Sequence, residues 1–293
     1  MPPTLLLALC LGQTIDVTEF GARGDDDVDD RAAIASAVAA LPPRGGKLYF
    51  PPGEYVTYED APLVEVVDRD NVTVLGDGAG IAKLRKISPG ICIALSGGTE
   101  IVGARVTGLT ILGSENADVG ILFENAKDSD IDHCTIAEFR RFGIEGRGAS
   151  TLNVLVTRCR ISAASNAYAE GRALSVRQGT TWRAEANYFN VGGSFAHPRW
   201  DTAVDVRGND GFYSEANIFD GAETGLRSDG EITSIADYWD SNPAAGIWGF
   251  CYAHEQNNPI TIIGPRGATK RKKVNLRLFN AKKYLTFVRS GPK

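Results

Sequence analysis

Three dipeptide-spaced pairs in this chain bring chemistry to mind: Glu145 with Arg147, Ser175 with Arg177, and Asp205 with Arg207. Glu145 and Asp205 are carboxylates of the kind that work in pairs on glycosidic bonds, one protonating the leaving oxygen while the other activates water or attacks. Arginines at a fixed offset suit recognition of an anionic ligand, because the guanidinium fork matches a carboxylate or phosphate. The stretch "SFAHPRWD" adds His197 and Asp201 as further acid–base candidates, with Trp200 as a face for a sugar ring. Arg227 and Trp248 continue the series. The candidate catalytic residues are therefore Asp205, Glu145, Asp201 and His197. The candidate ligand-binding residues are Arg147, Arg177, Arg207, Arg227, Trp200 and Trp248.

Metal chemistry finds less support. Asp25, Asp27 and Asp29 have the alternate spacing of a calcium loop, but such a loop needs glycine at its sixth position and glutamate at its twelfth. Those positions hold Asp30 and Ser36. The five cysteines (10, 92, 134, 159 and 251) are odd in number and lack C-x-x-C spacing, and the three histidines lack ligand spacing too. No metal and no cofactor are expected.

The elements that would position these residues come from an internal repeat. "RALSVRQGTTWRAEANYF", "TAVDVRGNDGFYSEANIF" and "TGLRSDGEITSIADYW" align almost without gaps, and "VGILFENAKDSDIDHCTI" and "FGIEGRGASTLNVLVTRCRI" precede them. The equivalents Ile121, Ile144, Leu174, Val204, Leu226 and Ile247 recur at 21–30 residues. A unit of this size with short alternating runs cannot bury its own apolar face, whereas stacked coils can, which predicts a β-solenoid. If those anchors point inward, alternation sends the residues one and three further on outward. One outward column then reads Glu145, Ser175, Asp205, Arg227, Trp248; its neighbour reads Glu124, Arg147, Arg177, Arg207, Asp229, Phe250. With coils about 4.8 Å apart, Glu145 and Asp205 sit about 10 Å apart. The bland alternative is a charge-compensated surface ladder. Leu109, Cys134, Cys159, Asn187, Asn217 and Asp237 line up as one inward column, so the two cysteines read as buried ladder members.

The insertions "SAASNAYAEG" and "NVGGSFAHPRWD" fall at one corner of the repeat, beside the strands of Ser175 and Asp205. Such loops are where binding residues concentrate.

The start of the chain reads differently. After the Asp run, Ile34, Val38 and Leu41 recur on one stripe of an Ala-rich segment, predicting a helix over 30–41 with Asp30 as its N-cap. Here "FGARGDDDVDDRAAI" followed by "LYFPPGEY" resembles the pectate-lyase superfamily. The matching residues are Phe20-Gly21-Ala22, Gly24-Asp25, Asp29-Asp30, Ala33-Ile34 and Pro51-Pro52-Gly53-Glu54-Tyr55, with a departure at Asp26, where that superfamily usually has glycine. The resemblance implies an all-β fold, a right-handed parallel β-helix (β-solenoid) with a short N-terminal capping helix. It implies a cap over 1–56, coils over 57–265 and a basic C-terminal segment over 266–293.

The superfamily includes lyases, polygalacturonases, other glycan hydrolases, epimerases and phage tail spikes, and fold does not choose among them. The polygalacturonase motifs N-T-D, G-H-G and R-I-K are missing here, and Ile131-Asp132-His133 lacks the tryptophan of one lyase motif. No catalytic residue carries over.

A net charge of −5 argues against nucleic-acid binding, yet the segment from Cys251 onward carries +9 and the remainder −14. The run Lys270–Lys273 reads as a solvated loop, with contact to an acidic partner as the alternative. "MPPTLLLALCLG" lacks the basic start of a signal peptide, and no stretch reaches membrane-spanning length. These features favour a virion-associated, tail-spike-like protein that recognises, with depolymerisation left open, a host surface polysaccharide. Its partners would be polysaccharide and other copies of itself, in a homotrimer or larger virion assembly through the basic segment. A virion or extracellular location follows. The alternatives are a free carbohydrate-active enzyme, a glycoside hydrolase or polysaccharide lyase on acidic polysaccharide, and a structural module of a larger assembly.

Overall fold

The computed structural model describes residues 12–163, 171–178, 180–190, 202–207, 211–220, 224–228, 230–240, 251–253, 260–263, 266–267 and 285–288. Within them the chain winds as a parallel β-helix with three faces per coil. One coil runs through Phe142–Arg147, Leu152–Thr157 and Arg160–Ala163; the next runs through Arg172–Arg177, Thr180–Glu185 and Tyr188–Asn190. Each strand pairs in parallel with its equivalent one coil away. The long strands Ile91–Val102 and Val119–Asp132 continue through the corner between the first and second faces, and their mutual register shifts there, between Glu124 and Ala126.

The register matches the sequence repeat along the first face. Ile121 pairs with Ile144, Ile144 with Leu174, Leu174 with Val204 and Val204 with Leu226. All five are fully buried. The next rung differs: Cys251, not Ile247, lies opposite Leu226, and Tyr252 lies opposite Arg227. The step from Leu226 is four residues longer than the alignment gave, and Tyr252 is the residue opposite Arg227.

The inward column at the second corner is built as the sequence suggested. Leu109, Cys134, Cys159, Asn187, Asn217 and Asp237 are all buried. Asn187 Oδ1 accepts from the Cys159 amide at 2.9 Å, Asn217 Oδ1 from the Asn187 amide at 2.9 Å, and Asp237 Oδ1 from the Asn217 amide at 2.8 Å. The residue just before each member is left-handed: Gly108, His133, Arg158, Ala186, Ala216 and Ala236 all have φ between 51° and 68°. Five of these six are not glycine. The ladder and the coil-to-coil bonds of their amides (Ala186 to Glu215 O and Ala216 to Ile235 O, both 2.9 Å) hold a conformation that costs a side chain about 1 kcal/mol.

The helix spans Arg31–Ala40 and buries Ile34 and Ala37 against the open end of the coils, with Leu41 following. Asp30 stands at the N-cap but makes no capping bond. Its Oδ1 accepts from the Arg23 amide at 2.6 Å and its Oδ2 from the Val56 amide at 3.0 Å. Asp29 does the capping, accepting from the Arg31 amide at 2.9 Å while its other oxygen takes the Tyr58 amide at 2.8 Å. Two adjacent carboxylates thus fasten the helix to the Gly53–Thr57 strand, because each can serve two donors at once. The Asp run builds the cap, and among the described residues no group of side chains is arranged to hold a metal ion. No described helix is long and apolar enough to cross a membrane.

Candidate functional site

The first face presents its outward residues in three columns. Leu122, Glu145, Ser175, Asp205 and Arg227 form the middle one, and Glu124, Arg147, Arg177 and Arg207 the one beside it, both in the predicted order. The third, Phe142 and Arg172, was not legible. Strict alternation back from Ile144 and Leu174 would turn these residues inward. Instead Ala173 and Leu174 both belong to the core, and Gly143 occupies the same corner, where a Cβ would meet Ile161 Cγ2 at 2.6 Å. A small residue directly before each anchor (Gly143, Ala173, Ala203, Gly225) was the available signal. It marks a corner that faces inward twice and releases the preceding side chain outward.

Asp205 is the hub. Arg207 grips it in bidentate fashion, Nε to Oδ1 at 3.0 Å and Nη2 to Oδ2 at 3.0 Å. Arg172 Nε lies 2.9 Å from Oδ2, and Arg227 Nε 3.9 Å from Oδ1. Asp205 points away from the core as expected, but it is not solvent-accessible: only 3% of it is exposed. Glu145 and Ser175 are buried as well, at 8% and 1%. The expectation of an open row of carboxylates is corrected here; the carboxylates form a floor, and the exposed rim consists of Arg147, Arg177 and Arg207.

The positive charge is only partly compensated. Arg147 is paired with Glu124, Nε to Oε1 at 3.0 Å and Nη2 to Oε2 at 3.1 Å. Arg177 has no ion pair among the described residues; its guanidinium sits 5.7 Å from the centroid of the Phe142 ring. Arg141 and Arg172 approach the same ring at 5.3 and 6.0 Å. Burial, aided by the charges of Arg207, Arg177 and Arg227, depresses the Arg172 pKa, and Asp205 opposes that shift. Three arginines around one carboxylate, with Arg177 beside them, leave a local excess of positive charge.

Of the remaining candidates, His197, Trp200, Asp201 and Trp248 lie outside the described residues, as does the basic run at 270–273. His133 sits at a left-handed corner of the second face with Nδ1 2.7 Å from Asp132 Oδ1. Asp132 also accepts from Arg105 Nε and Thr107 Oγ1, both at 2.7 Å. Burial works against its ionisation, but those donors prevail and hold its pKa down at about 2. This cluster lies on a different face from Asp205.

Comparison with known proteins bears on the cap and the winding rather than on the arginines. Residues 14–90 match the family model described as Rhamnogalacturonase A/epimerase, pectate lyase-like. The resemblance read from the cap motifs is thereby borne out. The matched stretch ends before the strands that carry Glu145, Ser175 and Asp205. A stretch of 68 residues is 46% identical to the mannuronan C5-epimerase AlgE6 of Azotobacter vinelandii, covering 22% of this chain and 8% of that protein. The alginate lyase of Paenibacillus sp. str. FPU-7 superposes with a TM-score of 0.66 at 13% identity, over 94% of this chain and 98% of the other. A tailspike mutant of E. coli bacteriophage HK620, solved with a pentasaccharide, gives 0.61 at 12% identity, over 87% of this chain and 57% of the other. At these identities the structures share a parallel β-helix fold with this chain, and residue roles do not transfer.

Proposed function

We propose that this chain is a polysaccharide-recognising β-helix of the tail-spike type, associated with a virion, whose first face engages an acidic host-surface glycan. One observation carries the reading: Arg172, Arg207 and Arg227 converge on the single carboxylate of Asp205, and Arg177, on the neighbouring rung, is exposed without a compensating carboxylate among the described residues. Clustered guanidiniums repel one another unless an anion lies over them. The saccharide held by the HK620 tailspike, and the names mannuronan and alginate among the similar proteins, support a glycan as that anion's carrier.

Recognition is favoured over cleavage by Asp205, because its buried oxygens are engaged by Arg207 and lie against Arg172, which leaves neither open to a substrate. A second reading, a free glycoside hydrolase or polysaccharide lyase, draws on Glu145. That residue is buried and has no ion pair among the described residues, two rungs from Asp205. Glu145 thus differs from Asp205 in carrying no arginine on its carboxylate among the described residues.

The test is to incubate the protein with a panel of acidic and neutral polysaccharides. Binding, new reducing ends and the ultraviolet absorbance of unsaturated ends would be followed together. Binding confined to acidic polymers supports the proposal, and product formation moves it to the second reading. Failure to bind any polymer would overturn both. Sedimentation of the native protein separates a trimeric spike from a monomeric enzyme.

A further inference from the structure

Two buried polar atoms of the first face have no hydrogen-bond partner: Ser175 Oγ and Arg172 Nε. Both belong to the Arg172–Arg177 strand, and both are donors. Arg172 Nε is within 2.9 Å of Asp205 Oδ2, yet it is not aligned to donate to it. Buried polar groups are nearly always satisfied, and leaving a donor bare costs about 1–3 kcal/mol. Serine at position 175 is therefore expensive where alanine would fit: its strand neighbours across the ladder are Glu145 and Asp205, and neither bonds to the hydroxyl.

Missing from this arrangement is an acceptor. Two unsatisfied donors, an uncompensated Arg177 on the same strand and the excess charge around Asp205 call for one anionic group with two oxygens. We infer that Ser175, Arg172 and Arg177 form a carboxylate subsite that takes the acid group of a uronic-acid unit. The inference rests on the proposed glycan reading and sharpens it, since it names the charged group and the strand that reads it. Arg177, at the exposed end, supplies the planar fork, which a carboxylate matches in bidentate geometry. Arg172 and Ser175 complete the floor. Phe142, ringed by Arg141, Arg172 and Arg177, holds those guanidiniums in place from the neighbouring rung. Asp205 acts as the counter-charge that keeps Arg172 and Arg207 from splaying apart, rather than as a reacting group.

Ser175→Ala is the diagnostic variant. The hydroxyl makes no hydrogen bond among the described residues, so the variant should melt within about a degree of the parent, or slightly above it. Titrations would use trimers of galacturonate, mannuronate and glucuronate, their carboxyl-reduced neutral counterparts, and a sulfated oligosaccharide. The parent is expected to bind at least one uronate trimer, and Ser175→Ala and Arg177→Ala are each expected to weaken that binding about tenfold. Binding of the neutral trimers should be weak in all three proteins. Equal affinity of the parent and Ser175→Ala for the uronate would overturn the subsite, as would failure of the parent to bind any uronate trimer. Tighter binding of the sulfated oligosaccharide, with the same loss in both variants, would overturn the commitment to a carboxylate. Should a uronate trimer bind in a Ser175-dependent way while no polymer binds, the subsite stands and the polysaccharide-recognition reading fails.

Discussion

Asp205 shows how far environment can change a residue's role. By type and position it is a candidate base; by contact it is the anion at the centre of an arginine cluster. Asp205→Asn keeps the shape and removes the charge, leaving Arg172 and Arg207 to repel each other. The expected result is a loss of about 2–3 kcal/mol of stability, below the cost of breaking a fully buried pair because Arg207 is half exposed. Urea unfolding of the variant checks this; an unchanged midpoint would restore Asp205 as a replaceable catalytic group. Asp132 gives a second test, in pH. Its folded pKa of about 2 lies below the ordinary aspartate value of 3.8, so its ionised form stabilises the fold above about pH 4. That contribution, about 2 kcal/mol, drains away as pH falls through 4 towards 2 and is absent below both values. Asp132→Asn should therefore be less stable than the parent at pH 7, with the gap closing near pH 2.

At the scale of elements, the corner ladder decides whether one coil sits in register on the next. Asn217 serves five groups: its Oδ1 accepts from the amide and the side chain of Asn187, and its Nδ2 donates to Ala184 O at 2.7 Å, Ser214 Oγ at 3.0 Å and Asp237 Oδ1 at 3.3 Å. Asn217→Ala removes all of these in a buried place, and a loss of about 3 kcal/mol or more is expected in thermal or urea unfolding. Burial already pushes the Asp237 pKa up, against the donors Ser214, Ser234 and Asn217. Loss of Asn217 should push it further in that direction. The same coils show size compensation. Trp182 is fully buried, and a Cβ on Gly146 would stand 2.2 Å from its Cζ2. The glycine is there to admit the indole, a pairing between two faces that no spacing along the chain announces.

For the whole molecule, the stack turns a local motif into a line of charge. Arg147, Arg177 and Arg207 are related by one rung each, about 4.8 Å apart, and so follow the coil axis as an extended acidic ligand would. Exposed charges at this spacing are within a screening length of one another at ordinary ionic strength. Affinity for an acidic oligosaccharide should accordingly fall with added salt. Arg177→Ala should bind less tightly and respond less steeply to salt, measured by titration calorimetry at two or more salt concentrations. Identical slopes would assign the binding to another surface.

The fold, the order of the first-face columns and the corner ladder were legible because a solenoid maps sequence spacing directly onto spatial adjacency: residues one coil apart become neighbours. Ile144, Leu174 and Val204 could be aligned by pattern alone, and Glu145 and Asp205 followed from alternation. The cap motifs likewise identified the start of the chain, although which of Asp29 and Asp30 caps the helix was settled by the approach of Tyr58 and Val56 from another strand. Tertiary structure alone decided the rest. Phe142 and Arg172 escape alternation because the small residues after them face inward at a corner. Tyr252 follows Arg227 in its column because the step from Leu226 to Cys251 is four residues longer than the repeat alignment gave. The burial of Asp205 and Glu145 depends on what packs over a face, and a period along the chain fixes which way a side chain points without fixing what covers it.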